Sequence, residues 1–252
     1  MLNSLVKSVN FSGAGRKWRN IKDVLYKNKV MFVHVPKCGG TSLSHSFRAR
    51  YPLSSFKVSE EASSRALQDV DAADWMRFKR DLMAYHASGG SHYIQGHAPI
   101  DEDFISQYAD EFLFVTLLRD PVDRFISHYH FDPKCRKYPF SEFLESRRGW
   151  IESHILCYFF GEQPWGVREG IEDAPARAIQ NLEKFSVVGV LEDQEAFSRE
   201  CQENLGVKIA LPKRNIGAQR KEKQYDIADA DLAKLKEMCA LDRRIYDAFA
   251  AR

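Results

Sequence analysis

Apolar and polar positions fall along this chain in blocks that read as strands and helices taking turns. Residues 31–35 (MFVHV) form an apolar run that stops at Pro36. Lys37, Cys38, Gly39, Gly40, Thr41 and Ser42 follow. Leu43 and Phe47 then recur at helical spacing, which predicts a strand, a glycine loop and a helix over about 42–50. A second strand is expected at 92–94, ending in Gln95-Gly96-His97-Ala98-Pro99. Residues 112–118 (FLFVTLL) are apolar almost throughout, as a strand buried on both faces of a parallel sheet must be, and residues 185–190 (FSVVGV) read the same way.

The helical blocks lie between these runs. After residue 118 comes Arg119, and then Asp120 offers a cap, Pro121 suits a first helical turn and Asp123 adds negative charge near the N-terminus. Val122, Phe125, Ile126 and Tyr129 keep the i, i+3, i+4, i+7 pattern, leaving Ser127 off the stripe. Residues 52–57 look like a turn into an exposed segment. Residues 60–85 are charged but helical, with Trp75, Phe78 and Leu82 as the expected buried stripe. Two helices are expected over 140–160, parted near Arg148-Gly149-Trp150, and others at 174–184, 193–205 and 228–250. Residues 211–223 form a basic loop with helix breakers.

Strands alternating with helices predict an α/β fold with a central parallel sheet flanked by helices, whose ligands collect beyond the carboxyl ends of the strands. Lys37, His97 and Arg119 each follow a predicted strand end, so three polar residues share one rim. The loop at 36–42 has the parts of a phosphate cradle. Its glycines allow a tight turn with N–H groups inward, the helix start adds partial positive charge, Lys37 adds a full charge, and Thr41 and Ser42 add hydroxyls. The lysine precedes the glycines, whereas the common nucleotide-triphosphatase loop ends in Gly-Lys-Ser/Thr; phosphate fits better than ATP.

Bulk properties narrow the classes. At 252 residues, one core with insertions is expected: a basic arm over 1–28 and a single domain over 29–252. The composition, 44% hydrophobic and 29% charged, is that of a soluble globular protein, and a net charge of +2 excludes a generally basic nucleic-acid coat. No apolar run approaches the ~18–20 residues of a membrane span. The N-terminal stretch lacks a signal peptide's apolar centre and reads first as a solvated arm. Five cysteines (38, 135, 157, 201 and 239) are odd in number and scattered without metal-ligand spacing, so neither a disulfide framework nor a zinc site is expected. A cytoplasmic setting follows from that.

Two segments together resemble the sulfotransferases. Val35-Pro36-Lys37-Cys38-Gly39-Gly40-Thr41-Ser42 is similar to their 5′-phosphosulfate loop. Arg119-Asp120-Pro121-Val122-Asp123-Arg124-Phe125-Ile126-Ser127 is similar to their 3′-phosphate motif, an arginine ending a strand with a serine eight residues later. Gly96-His97 resembles the region of the heparan sulfate 2-O- and 6-O-sulfotransferase branch where a histidine is the catalytic base. The resemblance implies a P-loop-like α/β fold and a 3′-phosphoadenosine-5′-phosphosulfate donor bound by Lys37, Cys38, Gly39, Gly40, Thr41, Ser42, Arg119 and Ser127, with Asn215 a further contact by analogy. It also implies a hydroxyl acceptor, expected on a glycan, and catalysis by His97 and Lys37; no metal is expected, because the lysine and the loop donors already supply the charge. Cys38 stands where this branch often has threonine, and the lack of a membrane anchor points to a soluble, bacterial-type member.

Other assignments compete at several positions. Arg124 serves a phosphate or pairs with an acid on its own helix. Asp101 and Glu102 orient His97, replace it, or are plain solvated acids. Cys38 has no histidine beside it in sequence, so covalent catalysis is rejected, and His34 reads as a core histidine. Lys134, Arg136, Lys137, Arg147 and Arg148, with Trp150 and Trp165, are candidates for acceptor binding. Two other functions remain open from sequence: a nucleotide kinase or triphosphatase with an atypical loop, and a catalytically silent glycan- or nucleotide-binding protein.

Overall fold

The computed structural model describes residues 22–209 and 227–251. Five strands, β1 (Lys29–Val33), β2 (Ser55–Lys57), β3 (Tyr93–Gly96), β4 (Phe112–Leu118) and β5 (Val187–Val190), form one sheet in the order β2-β3-β1-β4-β5, with every pairing parallel. The first strand is central, so the chain steps from it to one side for β2 and β3 and to the other for β4 and β5. That reversal places the ends of β3, β1 and β4 side by side at a topological switch point.

Alternation along β1 explains the layers. Met31 and Val33 face one core with Ile94, Phe114 and Leu118, while Val30 and Phe32 face another with Val115 and Leu117. Against the second face pack α1 (Gly40–Arg50), through Leu43 and Phe47, and α10 (Gln194–Leu205), through Phe197, Cys201 and Leu205. The first face takes α3 (Ala72–Ser88) and α4 (Glu102–Tyr108), then α8 (Ile155–Phe160), α9 (Ala174–Glu183) and α12 (Ala240–Ala250). All six residues of α8 are buried, so this short helix lies inside the layer rather than on it.

The remaining helices are α2 (Glu60–Ala66), α5 (Pro121–Phe131), α6 (Phe140–Glu145), α7 (Arg147–Ser153) and α11 (Asp229–Met238). Helix α5 starts as expected: Asp120 accepts from the N–H groups of Val122 and Asp123 at 3.0 and 3.1 Å. The C-terminal helix holds two other helix starts in place. Asp242 is buried and accepts from the N–H groups of Leu156 and Cys157 at 2.8 and 3.0 Å, capping α8. Arg243 donates to the Asp120 carboxylate at 2.5 Å.

Several expectations need correction. Residues 55–57 are an edge strand; their backbone pairs with β3, which side-chain pattern over three residues cannot announce. The buried stripe of α3 is Met76, Lys79, Met83 and Ala87, one position on from Trp75, Phe78 and Leu82, and it contains a lysine. The 140–160 segment is three short helices, broken at Ser146 and His154 rather than near Gly149; Ser146 caps α7 by accepting from the Gly149 N–H at 2.9 Å. The C-terminal segment is two helices that meet at Cys239.

Candidate active site

The loop after β1 turns through two left-handed residues, Lys37 at φ 69° and Gly39 at φ 76°. Gly39 is exposed and precedes α1 with no side-chain cap, so the N–H groups of the first helical turn, including those of Thr41 and Ser42, open toward the loop. Gly40 is required for a different reason. A Cβ there would lie 2.0 Å from His34 Nε2, so the helix start and the imidazole could not both keep their places. Cys38 departs from the expected side-chain role: its thiol is buried in the core, its N–H reaches the Val35 carbonyl at 3.4 Å, and burial pushes the thiol pKa up to about 12. It is therefore neither an anion donor through its side chain nor a nucleophile.

Arg119 leaves the end of β4 and donates from Nη1 to the Lys37 carbonyl at 3.2 Å, which ties the strand end to the loop. The Lys37 ammonium sits over the Phe131 ring, 3.5 Å from its centroid, and Phe131 itself is largely exposed at the end of α5. Burial first, then the positive charges of Arg119 and Arg124, lower the Lys37 pKa. Lys37 and Arg119, brought together at the loop, are the kind of cations a multiply charged anion requires. Ser127, one turn before Phe131's end of α5, is partly exposed, as its off-stripe position implied. Arg124 is buried and turns to α7, donating to the Glu152 carboxylate at 3.1 Å and to the Glu152 carbonyl; its partner lies on another helix, not its own.

On the other side of β1, His97 follows the last residue of β3. Its Nδ1 lies 2.5 Å from the His34 carbonyl oxygen. A carbonyl can only accept, so Nδ1 carries the hydrogen and Nε2 is left with the lone pair. The rings of His34 and His97 lie 4.2 Å apart between centroids. His34 is fixed in turn: Gln95 donates to its Nδ1 at 3.1 Å, and Gln95 accepts from the Tyr93 hydroxyl at 3.0 Å. Burial is the largest cause lowering both imidazole pKa values, that of His34 well below its ordinary 6.5, so both rings are neutral at neutral pH.

Two residues not anticipated from sequence act on His97. Lys79 is 1% exposed, donates to Glu60 at 3.2 Å and lies 3.8 Å from the centre of the Trp75 ring. Glu60 raises the His97 pKa and Lys79 lowers it, which makes this ion pair the electrical neighbour of the histidine. The signal available in sequence was a lysine in register with Met76, Met83 and Ala87. Asp101 and Glu102, by contrast, are occupied elsewhere. Asp101 caps α4 through the Phe104 N–H at 2.8 Å and meets Arg80, while Glu102 pairs with Lys184 at 2.6 Å.

Other candidates separate. Trp165 lines a cavity of about 460 Å³ together with Arg80, Pro99, Ile100 and Tyr158, just beyond His97 in the chain. Trp150 instead stacks on His154 and lies under Arg168. Arg148 pairs with Asp132 at 2.5 Å. Asn215 and the basic loop over 211–223 lie outside the described residues.

A model of the sulfotransferase family matches residues 23–250. No curated protein matches the chain. Among solved structures, the chain is similar to an unliganded sugar kinase from Janibacter sp. HTCC2649, at 14% identity over 71% of this chain and 95% of that one, with a TM-score of 0.40.

Proposed function

Since this chain belongs to the sulfotransferase family, we propose that it moves a sulfuryl group from 3′-phosphoadenosine-5′-phosphosulfate to a carbohydrate hydroxyl, with His97 as general base. The observation that carries this reading is the bond from Arg119 to the Lys37 carbonyl, which fastens the cation of one motif to the loop of the other. Lys37 and the first N–H groups of α1 receive the 5′-phosphosulfate, and Arg119 with Ser127 grips the 3′-phosphate. Gly39, Gly40, Thr41 and Ser42 contribute through the backbone at the helix start. Cys38 shapes the turn from the core side.

The bond to form joins the acceptor oxygen to sulfur, and the bond to break joins sulfur to the bridging phosphate oxygen. His97 Nε2 takes the hydroxyl proton, since its partner nitrogen already donates to His34. Lys37 stabilises the charge that gathers on the leaving phosphate. Lysine, arginine and helix N–H groups supply the positive charge, so the transfer itself needs no metal. A sugar acceptor is supported by the cavity beside Trp165, whose ring offers an apolar face while Arg80 offers a donor.

The donor is tested by melting. 3′-Phosphoadenosine-5′-phosphate at a hundredfold its Kd is expected to stabilise the fold by about 2.7 kcal/mol. ATP or GTP at equal concentration should do less, and an equal or larger shift with ATP would refute the assignment. The acceptor is tested by labelled-sulfate transfer across glycans, phenols and lipids, with incorporation expected in the glycan set; labelling of phenols or lipids alone would overturn that part.

A further inference from the structure

The end of α5 carries a cluster that the transfer chemistry does not use. A ring nitrogen of His128, a carboxylate oxygen of Asp132 and the thiol of Cys135 all lie within 4.8 Å of one another. Helix geometry brings the first two together, because residues four apart share a face. A turn brings the third: the Asp132 N–H donates to the His128 carbonyl at 3.0 Å, ending the helix, and the Cys135 N–H donates to the Asp132 carbonyl at 3.0 Å. The spacing, His-x₃-Asp-x₂-Cys, matches none of the common paired-cysteine patterns, so it carries no recognisable signature.

The surroundings of these donors are those of metal ligands. His128 Nε2 faces two groups, the Glu152 carboxylate at 3.2 Å and Arg148 Nη2 at 3.4 Å; the carboxylate is nearer and can only accept, so the tautomer with Nε2–H donating to it has its lone pair on Nδ1. That Nδ1 is buried and has no hydrogen-bond partner. A carboxylate behind one nitrogen with a bare lone pair on the other is the arrangement that orients a metal-bound histidine. Asp132 is held by the Lys134 N–H at 2.8 Å and by Arg148 at 2.5 Å, and Cys135 is 1% exposed. We propose that His128, Asp132 and Cys135 form a three-ligand zinc site, completed by water, that staples the end of the donor-binding helix to the turn after it.

A nitrogen, oxygen and sulfur donor set suits Zn²⁺ rather than Mg²⁺ or Ca²⁺, which take oxygen ligands. Tetrahedral ligands at ~2.0–2.3 Å from zinc stand about 3.3–3.8 Å apart, so closure from the observed spacing needs side-chain shifts of about an ångström. On binding, the Cys135 S–H bond breaks, the sulfur keeps the electron pair for the metal, and the proton passes to solvent; no electron transfer is involved. The site stands apart from the proposed transfer and holds whatever the acceptor proves to be.

The test uses the full chain, stripped of metal by chelator and dialysis, with Co²⁺ as the optical probe. One equivalent of Co²⁺ is expected to give the thiolate-to-cobalt charge-transfer band of a four-coordinate site, and one equivalent of Zn²⁺ should abolish it. Cys135→Ser should lose the band, Asp132→Asn should weaken binding by at least tenfold, and Cys201→Ser should keep it. Circular dichroism of each metal-free variant checks that it is folded, and elemental analysis of the wild-type chain after gel filtration should return one zinc per chain. Absence of a thiolate band in the wild-type chain overturns the site. So does a band that survives Cys135→Ser, or equal binding by wild type and Asp132→Asn.

Discussion

On the β4 side of the central strand, the chain places charge with its backbone; on the β3 side, it places charge with side chains brought from afar. Arg119 is aimed by the strand that ends at Leu118 and is anchored on the carbonyl of Lys37, and the helix start beside them has no side-chain cap, so its N–H groups await an acceptor. His97 is set by β3, but besides its burial, the charges acting on it include Glu60 on α2 and Lys79 on α3, which meet each other at 3.2 Å, and Lys57. The first arrangement fixes positive charge at a point in space. The second leaves an imidazole whose pKa is lowered first by burial and then adjusted by Glu60, the His34 carbonyl, Lys79 and Lys57. Binding an anion needs the former, and proton transfer near neutral pH needs the latter.

The largest effect that separates the two sides is expected from His97→Ala. Turnover should fall by roughly 10²–10⁴, the usual size of general-base catalysis, while affinity for 3′-phosphoadenosine-5′-phosphate stays within about threefold. Turnover by labelled-sulfate transfer and affinity by calorimetry decide it: near-normal turnover removes His97 as base, and lost nucleotide binding makes it structural. Next comes Lys37→Ala, which should lower turnover by about 10²–10³ and, unlike His97→Ala, also weaken donor binding, because Lys37 touches the donor before the transition state. Unchanged donor affinity would move Lys37 from the ground state to the transition state alone.

Gly40→Ala strikes a place where the two sides share a wall. Its Cβ would displace the His34 ring, whose carbonyl holds His97. A loss of about 1–3 kcal/mol in stability is expected, as for other overpacked sites, together with lower donor affinity and lower turnover. Denaturant unfolding and the transfer assay measure the three quantities, and a variant as stable and active as wild type would show that His34 does not couple the sides. The smallest effects are the most specific. With His97 as base, kcat/KM rises as pH climbs through its pKa, which lies below 6.5, and is flat above. Removing the positive charge with Lys79→Met should raise the His97 pKa and move the acid limb to higher pH, whereas Glu60→Gln should move it to lower pH. Shifts in the same direction, or none, would exclude the ion pair from setting the base.

These two sides also differ in how far the sequence disclosed them. Strand β4 and the helix start at Asp120 were legible to the residue, because an apolar run, a capping aspartate and a proline are local signals. The order of Lys37 before Gly39 and Gly40 gave the loop, and the strand ends placed Lys37, His97 and Arg119 on one rim. The pair Glu60 and Lys79 was not legible, since it joins two helices separated by a turn and depends on tertiary packing. The stripe of α3 was misjudged by one position because a lysine occupied a core register, and hydrophobic pattern alone rejects such a residue. Cys38 illustrates the opposite case. Its place in the motif was evident, but whether its side chain faced the ligand or the core depended on the left-handed turn at Lys37 and Gly39.

Helix α12 reaches back to the start of α5 across 123 residues of chain, through Arg243 and the Asp120 carboxylate. Proteins are made from the amino end, so the loop after β1, β4 and Arg119 leave the ribosome long before the arginine that fixes the helix beside them. Its neighbour Asp242 does the same for α8, whose first N–H groups would otherwise lie buried without acceptors. A nascent chain therefore holds Lys37, Arg119 and Ser127 before it holds the residues that fix the start of α5. The starts of α5 and α8 are fixed only when the last helix to be made has docked against them.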